Sequence, residues 1–318
     1  MALFLSEDDV KQVLTATMAL EAVESAHRDL SLGQAQDTPR ARTRLPQTVL
    51  HILQGALPAQ GVLGYKAYTT NRSGNRFLVY MFDAASGRLL ALIEADYMGM
   101  IRTGAASGVA AQWLARPDTS VAGVFGAGWQ AEGHVRGICA AMPLELVKVF
   151  SRNAVKLSAF CERLSGMTGV AVVPAASAED TVRGSSLIGT VTTAAQPLFD
   201  VDWLEPGTHI NAAGSNALIR QELPEAALRR CAVVAVDAVP TALAEAGDLL
   251  PYLEKGRLHA RQLVELGDII VGRHAGRTAS EQITLFESQG MAIQDLAVAI
   301  RVVAAARERG LGVELPLG

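Results

Sequence analysis

The stretch Val121-Ala-Gly-Val-Phe-Gly126-Ala-Gly128-Trp129-Gln130-Ala131 runs from an apolar strand pattern into Gly-x-Gly-x-x-Ala. The chemistry that this spacing supports is anion binding. Gly126 permits a tight turn, Gly128 lets backbone approach a pyrophosphate, and the small Ala131 lets the next helix pack against the strand. The first amides of that helix have no intrahelical acceptor and face the anion. With 29 glycines in 318 residues the pattern alone is unspecific, and its context gives it meaning. Apolar strand patterns recur at 146–150, 170–173, 186–190, 209–213 and 232–236, separated by stretches of helical length. That alternation predicts a parallel sheet of βαβ units carrying a dinucleotide.

In enzymes that use NAD, an acid about 20 positions past the glycines takes the ribose 2′-hydroxyl. Here the second strand ends in Ser151-Arg152-Asn153. Arg152 is placed for a 2′-phosphate, which a guanidinium binds in bidentate fashion. The expected cofactor is NADP(H), with NAD(H) possible. Thr190-Val-Thr192-Thr193 closes the fourth strand and reads equally as a ribose border or a polar turn. His209 to Asn216 follows the fifth, with polar groups expected at the carboxyl edge of the sheet.

A second group of residues could bind a carboxylate. Lys66 lies inside the strand pattern Gly64-Tyr-Lys66-Ala-Tyr68-Thr, Arg42 and Arg44 in a Pro- and Thr-rich segment, and Arg102-Thr103 at the start of a small-residue helix. A lysine within a strand either snorkels to the surface or pairs with an anion in a pocket. The histidines show no metal-ligand spacing, and there is neither a Gly-x-Ser-x-Gly elbow nor a catalytic cysteine context.

These residues need a scaffold of two domains. Residues 7–31 have helical spacing, opened by Ser6 as N-cap with acids in the first turn. A segment rich in Pro, Arg and Thr follows at 37–46. Strand patterns at 49–53, 62–69, 77–83 and 89–94, joined by hairpin loops, predict an antiparallel sheet. Helices are expected at 103–115 and 291–309, the latter returning to the first domain. The predicted fold is therefore α/β: a Rossmann NAD(P)-binding domain (114–294) beside an α+β substrate and dimerisation domain (1–113, completed by 295–318).

Half of the residues are hydrophobic, 19% are charged and the net charge is −4, so neither disorder nor a nucleic-acid partner is expected. Three scattered cysteines fit a reducing compartment. Without a signal-like start or a long apolar run, the expectation is a cytoplasmic protein with no membrane partner.

Several motifs occur together and in order: Arg42-Thr-x-x-Pro46, Lys66, Arg102-Thr103-Gly-Ala-Ala, the glycine motif, Ser151-Arg152-Asn153, Pro206-Gly-Thr-His209-Ile-Asn211-Ala, Gly247-Asp248-Leu, and Phe286-x-Ser288-x-Gly290-Met291-Ala-x-x-Asp295. In these the chain resembles the ornithine cyclodeaminase/μ-crystallin family over nearly its whole length. The resemblance implies a homodimer and a nicotinamide nucleotide facing a small imino, amino or keto acid. It assigns Arg42, Lys66 and Arg102 to the substrate carboxylate, with Lys66 and Arg102 catalytic. It assigns Gly126, Gly128, Gln130 and Ala131 to the pyrophosphate, with Thr103, Trp129, Ser151 and Asn153 nearby. Arg152 takes the 2′-phosphate, and Thr190, Thr192 and Ser288 lie along the nucleotide. Asn216 is taken as a further substrate-binding residue; it stands where ornithine cyclodeaminases carry an aspartate after the fifth strand, and an amide is no general base. The reading is thus NAD(P)H-dependent reduction of a cyclic ketimine carboxylate, Δ1-pyrroline-2-carboxylate or Δ1-piperideine-2-carboxylate. Ornithine cyclodeamination, an alanine-dehydrogenase-like reaction and non-catalytic NADPH binding remain as alternatives.

Overall fold

The computed structural model describes residues 1–317, and every side chain among them except that of Ala154. In chain order the elements are β1 (Ala2–Leu5), α1 (Glu7–Val13), α2 (Ala16–Ser31), β2 (Gln36–Arg44), β3 (Thr48–Leu57), β4 (Val62–Asn71), β5 (Gly74–Asp83), β6 (Leu89–Glu94) and α3 (Asp96–Leu114). There follow β7 (Val121–Phe125), α4 (Trp129–Ala141), β8 (Leu146–Phe150), α5 (Ala154–Thr168), β9 (Ala171–Pro174), α6 (Ala178–Val182), β10 (Leu187–Thr190), β11 (His209–Ala212), α7 (Glu225–Arg230) and β12 (Cys231–Val236). The chain ends with α8 (Val239–Glu245), α9 (Leu250–Glu254), β13 (Leu263–Glu265), α10 (Leu266–Ile270), β14 (Ile283–Glu287), α11 (Ala292–Glu308) and β15 (Val313–Leu315).

Two compact units result: Met1–Arg102 with the segment from Gly290 onward, and Thr103–Gln289. The division falls at 102/103 and 289/290, where the sequence patterns suggested 113/114 and 294/295. The later part of α3 is bonded to the second unit: Asn211 Nδ2 donates to Ser107 O at 3.0 Å, and Thr284 Oγ1 to Leu114 O at 3.0 Å.

The first unit holds a seven-stranded sheet in the order β15-β1-β6-β5-β4-β3-β2. From β2 to β6 it is an antiparallel meander, but β1 pairs with β6 in parallel, so the sheet is mixed and not wholly antiparallel. β1 and β15 were too short to show alternation. The Pro-, Arg- and Thr-rich segment 37–46 is mostly strand. Pro39 is accommodated there because β2 is an edge strand with an irregular register between Thr38 and Ala41. The expected single helix 7–31 is two helices, because the chain carries two caps. Ser6 and Asp9 form a capping box on α1, and the Thr15 side chain accepts from Met18 N at 3.2 Å to start α2. α11 covers one sheet face, its Ile293 and Leu296 lying over Gly55 and Gly64. On the other face Tyr65 stacks on Tyr80 at 4.7 Å and on Phe82 at 6.1 Å.

The second unit is an eight-stranded sheet, β13-β12-β14-β11-β10-β7-β8-β9, parallel throughout. Apolar side chains form two clusters, one built on Ala122, Val124, Val135 and Val147, the other on Phe125, Ile188, Ile210 and Leu285. Strand order reverses at β7, which puts the glycine turn at the crevice where such sheets bind ligands. Among the described residues no helix is long and apolar enough to cross a membrane, and no cluster of metal-binding side chains occurs.

Candidate active site

In the first unit Lys66 stands mid-β4, with Leu53 opposite it on β3 and Val79 on β5. Its ammonium is drawn to Asp295, in the opening turns of α11, with Nζ 2.6 Å from Oδ2. Arg102, on α3, reaches the other oxygen, with Nε 2.8 Å from Oδ1. Arg102 Nη1 also donates to Gln294 Oε1 at 3.1 Å. That oxygen accepts from Met291 N at 3.1 Å, and Gln294 Nε2 lies 3.0 Å from His27 Nε2. Lys66, Arg102, Gln294, Asp295 and His27 are all buried.

Gly290 makes this packing possible. Its φ is +78°, and a Cβ there would come within 2.6 Å of Arg102 Nη1. Only glycine adopts that turn cheaply, and only glycine leaves room for the guanidinium.

The cluster is positive, with two cations against one carboxylate. Burial lowers the Lys66 pKa to about 7, with the Arg102 charge acting the same way and Asp295 opposing. Burial pushes Asp295 up, but Arg102 and Lys66 outweigh it and hold its carboxyl below the usual range. Of the five N–H donors of a guanidinium, Arg102 spends two on α11, through Nε and Nη1. A buried cation with unspent donors is a costly arrangement unless an anion completes it.

Arg42 lies on the same sheet face as Lys66, in register with His51, which pairs with Tyr68 on β4. His51 stacks on Tyr68 at 4.2 Å. Burial, then the charges of Arg40, Arg42 and Arg44, push its imidazole down to about 4, so it is neutral near pH 7. The structure thus joins Lys66 and Arg102 through Asp295 and sets Arg42 farther along their sheet. Sequence reasoning missed Asp295, Gln294 and His27 as site residues. The available signal was one acid among Ala292, Ile293, Leu296, Ala297 and Val298, on a helix that is otherwise apolar there.

In the second unit Gly126 leaves β7 with φ +118°. Gly128 is the N-cap of α4, no side chain caps that end, and nothing lies within 4 Å of where its Cβ would be. No side chain thus caps the amides of Gln130 and Ala131 in the first turn of α4, and the backbone around Gly128 is open to close approach. These residues fit a dinucleotide pyrophosphate. Ala131 is buried, Trp129 is exposed, and Gln130 is half-buried with Oε1 unpartnered. Ser151, Arg152 and Asn153 follow β8, with Arg152 exposed. Thr103 lies within α3, and Thr190 is fully buried.

Other expected residues are committed within the protein. Thr192 donates to Glu222 through N at 2.5 Å and Oγ1 at 2.7 Å, and Ser288 Oγ donates to Asp237 at 3.0 Å. His209 opens β11, so it is not at the carboxyl edge as expected. It pairs with Thr284 Oγ1 at 2.9 Å and Asn211 Oδ1 at 3.1 Å. Asn216 is exposed in the loop after β11. Buried acids hold the start of that loop: Glu222 accepts from Gly214 N at 2.8 Å, and Glu287 accepts from Ser215 Oγ. Burial raises the pKa of both carboxyls, that of Glu287 well above the carboxylate range.

Comparison with known proteins gives a consistent picture. Residues 1–310 match the model of the "Ornithine cyclodeaminase/mu-crystallin family". The chain is 35% identical over 283 residues to a Delta(1)-pyrroline-2-carboxylate reductase of Bacillus cereus, covering 85% of this chain and 87% of that one. Among solved structures it is similar to the Thermococcus litoralis Delta(1)-pyrroline-2-carboxylate reductase in complex with NADH and L-proline. That match has a TM-score of 0.94 at 29% identity and covers 98% of this chain and 100% of the other. An archaeal alanine dehydrogenase dimer with bound NAD matches with a TM-score of 0.92 at 29% identity, covering 99% and 98%.

Proposed function

The chain belongs to the ornithine cyclodeaminase/mu-crystallin family, and from that premise we propose that it reduces a cyclic ketimine carboxylate such as Δ1-pyrroline-2-carboxylate to the cyclic amino acid. The observation that carries this reading is the buried pair Lys66 and Arg102, held by one carboxylate and left with a positive charge. A planar imino acid brings the complementary anion. Arg102 offers its unspent N–H groups to the carboxylate, with Arg42 of the same unit assisting. Lys66, lowered to about 7, holds a proton that it can share with the imine nitrogen near neutral pH. Leu53 and Val79 flank Lys66 and keep water from it.

In the second unit the amino terminus of α4 would hold a nicotinamide nucleotide, which would supply the hydride that imine reduction needs. The neighbours of Lys66 across the sheet are apolar, and Asn216 is an amide. An amide is no general base for a diamino acid losing ammonia, which favours imine reduction over ornithine cyclodeamination. The relatives with NADH, proline and NAD in their names support the same reading. We infer a homodimer formed through the sheet face that carries Tyr65, Tyr80 and Phe82, the face that α11 leaves bare.

The deciding assay is NADPH or NADH oxidation on adding Δ1-pyrroline-2-carboxylate. Turnover with proline formed and no ammonia released is expected. Ammonia released from ornithine, with no net change in nucleotide, would instead establish a cyclodeaminase. For the nucleotide we favour NADP(H), through Arg152. Arg152→Ala is expected to raise the Kd of NADPH roughly 10-fold or more, the scale of one charge-assisted pair, and to leave NADH nearly unchanged. Equal losses for both nucleotides in a fluorescence titration would remove the 2′-phosphate role.

A further inference from the structure

Against Lys66 and Arg102, the residues assigned to substrate, stands a second layer of side chains. Asp295 and Gln294 are adjacent in the opening turns of α11, at a helix end whose dipole favours an anion. Between them they take two donors of Arg102, and Asp295 takes the Lys66 ammonium. Gln294 is anchored in turn by Met291 N and by His27 of α2. Gly290 supplies the room that lets Arg102 approach this turn.

Resting on the imine-reductase reading, we propose that Asp295 and Gln294 are positioning residues that fix the orientation of Arg102 and keep Lys66 charged, so that the incoming acid meets a site of set geometry and charge. Gln294 does this as an amide. Its oxygen binds Arg102 without adding a second negative charge, which would neutralise the cluster and remove the attraction for a carboxylate. The groups bearing on Lys66 are Arg102 from α3, Asp295 from α11 and Arg40 from β2, with His27 of α2 one bond behind Gln294. β3 and β5 bring only Leu53 and Val79 beside it. Burial first lowers the lysine's hold on its proton, and the opposed charges of Arg102 and Asp295 adjust it, a balance that two near-isosteric changes tip in opposite directions.

In the intact enzyme, kcat/KM for the imine is expected to fall as pH rises through the Lys66 titration near 7. Asp295→Asn removes the attracting charge and moves this limb at least one unit toward acid, so that activity at pH 8 drops about 10- to 1000-fold and is partly recovered at lower pH. Gln294→Glu adds a carboxylate beside Arg102, moves the limb toward alkali and raises KM for the acid severalfold. A purely structural role would not move the limbs in opposite directions. The titration is also read directly, by NMR of protein labelled with 13C at the lysine ε-carbons, the Lys66 resonance being assigned by its loss in Lys66→Arg. Opposite displacements of that midpoint uphold the proposal even if the wild type reduces no imine, in which case only the substrate reading fails. Midpoints and KM values unchanged in both variants would overturn it. Should Asp295→Asn not fold, Gln294→Glu alone decides.

Discussion

Lys66→Ala and Arg102→Ala are each expected to lower imine turnover by about 10²- to 10⁴-fold, the range for a lost proton donor or a lost charge at a buried site. Nucleotide affinity should stay within about twofold of wild type on the same scale of reasoning, because the α4 amino terminus is untouched. The two losses differ in kind. Without Arg102 the carboxylate has lost its bidentate partner, so KM rises steeply. Without Lys66 the acid still binds, but the imine lacks its proton, so kcat falls. Neither change strands Asp295, since each leaves it one cation. Steady-state kinetics beside an NADPH fluorescence titration and a melting curve separate these effects. Turnover above a tenth of wild type in a folded Lys66→Ala protein would remove the lysine from the chemistry.

The second large effect is on stability. α3 and α4 cross with backbone against backbone: a Cβ on Gly104 would meet the Gly133 carbonyl, and one on Gly137 the Gly104 carbonyl. Neither neighbour is a flexible side chain that can give way. Gly104→Ala is therefore expected to destabilise by roughly 3 kcal/mol or more, although alanine is the better helix former. Gly99, in the same helix, has nothing within 4 Å of its Cβ position. Gly99→Ala should be neutral or raise stability by about 0.5–1 kcal/mol. Urea or thermal melts of the pair measure packing against propensity within one helix. Similar melts for the two variants would show that the crossing tolerates a methyl group.

Much of the architecture could be read from local pattern. The parallel strands are largely apolar because both faces are covered, and the hairpins of the first unit carry their own turn residues. What escaped was short or held from afar. β1, β13 and β15 have three or four residues each, too few for a period. β2 contains Pro39, which reads as a breaker unless its place at the sheet edge is known. Ser6 was legible as a cap, while Thr15, which starts a second helix, was hidden inside continuous apolar spacing.

The site shows the same limit. Lys66 was noticeable because a cation inside a strand needs a partner. Its partner, Asp295, lies far along the chain on α11, and nothing local announces that the two meet. His209 misled because its polar neighbours suggested a ligand edge, whereas the imidazole is bonded inside the fold. Burial there pushes its pKa down to about 3, and the ring stays neutral.

The first unit is also discontinuous in the chain: α11 and β15 come after the whole of the second unit. On the ribosome, residues 103–289 are a continuous stretch that can fold as soon as it emerges, whereas the first sheet must wait for its last edge strand and its covering helix. Until Asp295 is synthesised, Lys66 and Arg102 have no counter-charge, and the apolar side chains that α11 will cover stay wet. The cluster of Lys66, Arg102 and Asp295 is thus completed only late in biosynthesis, and a nascent chain arrested before α11 carries the second unit without that cluster.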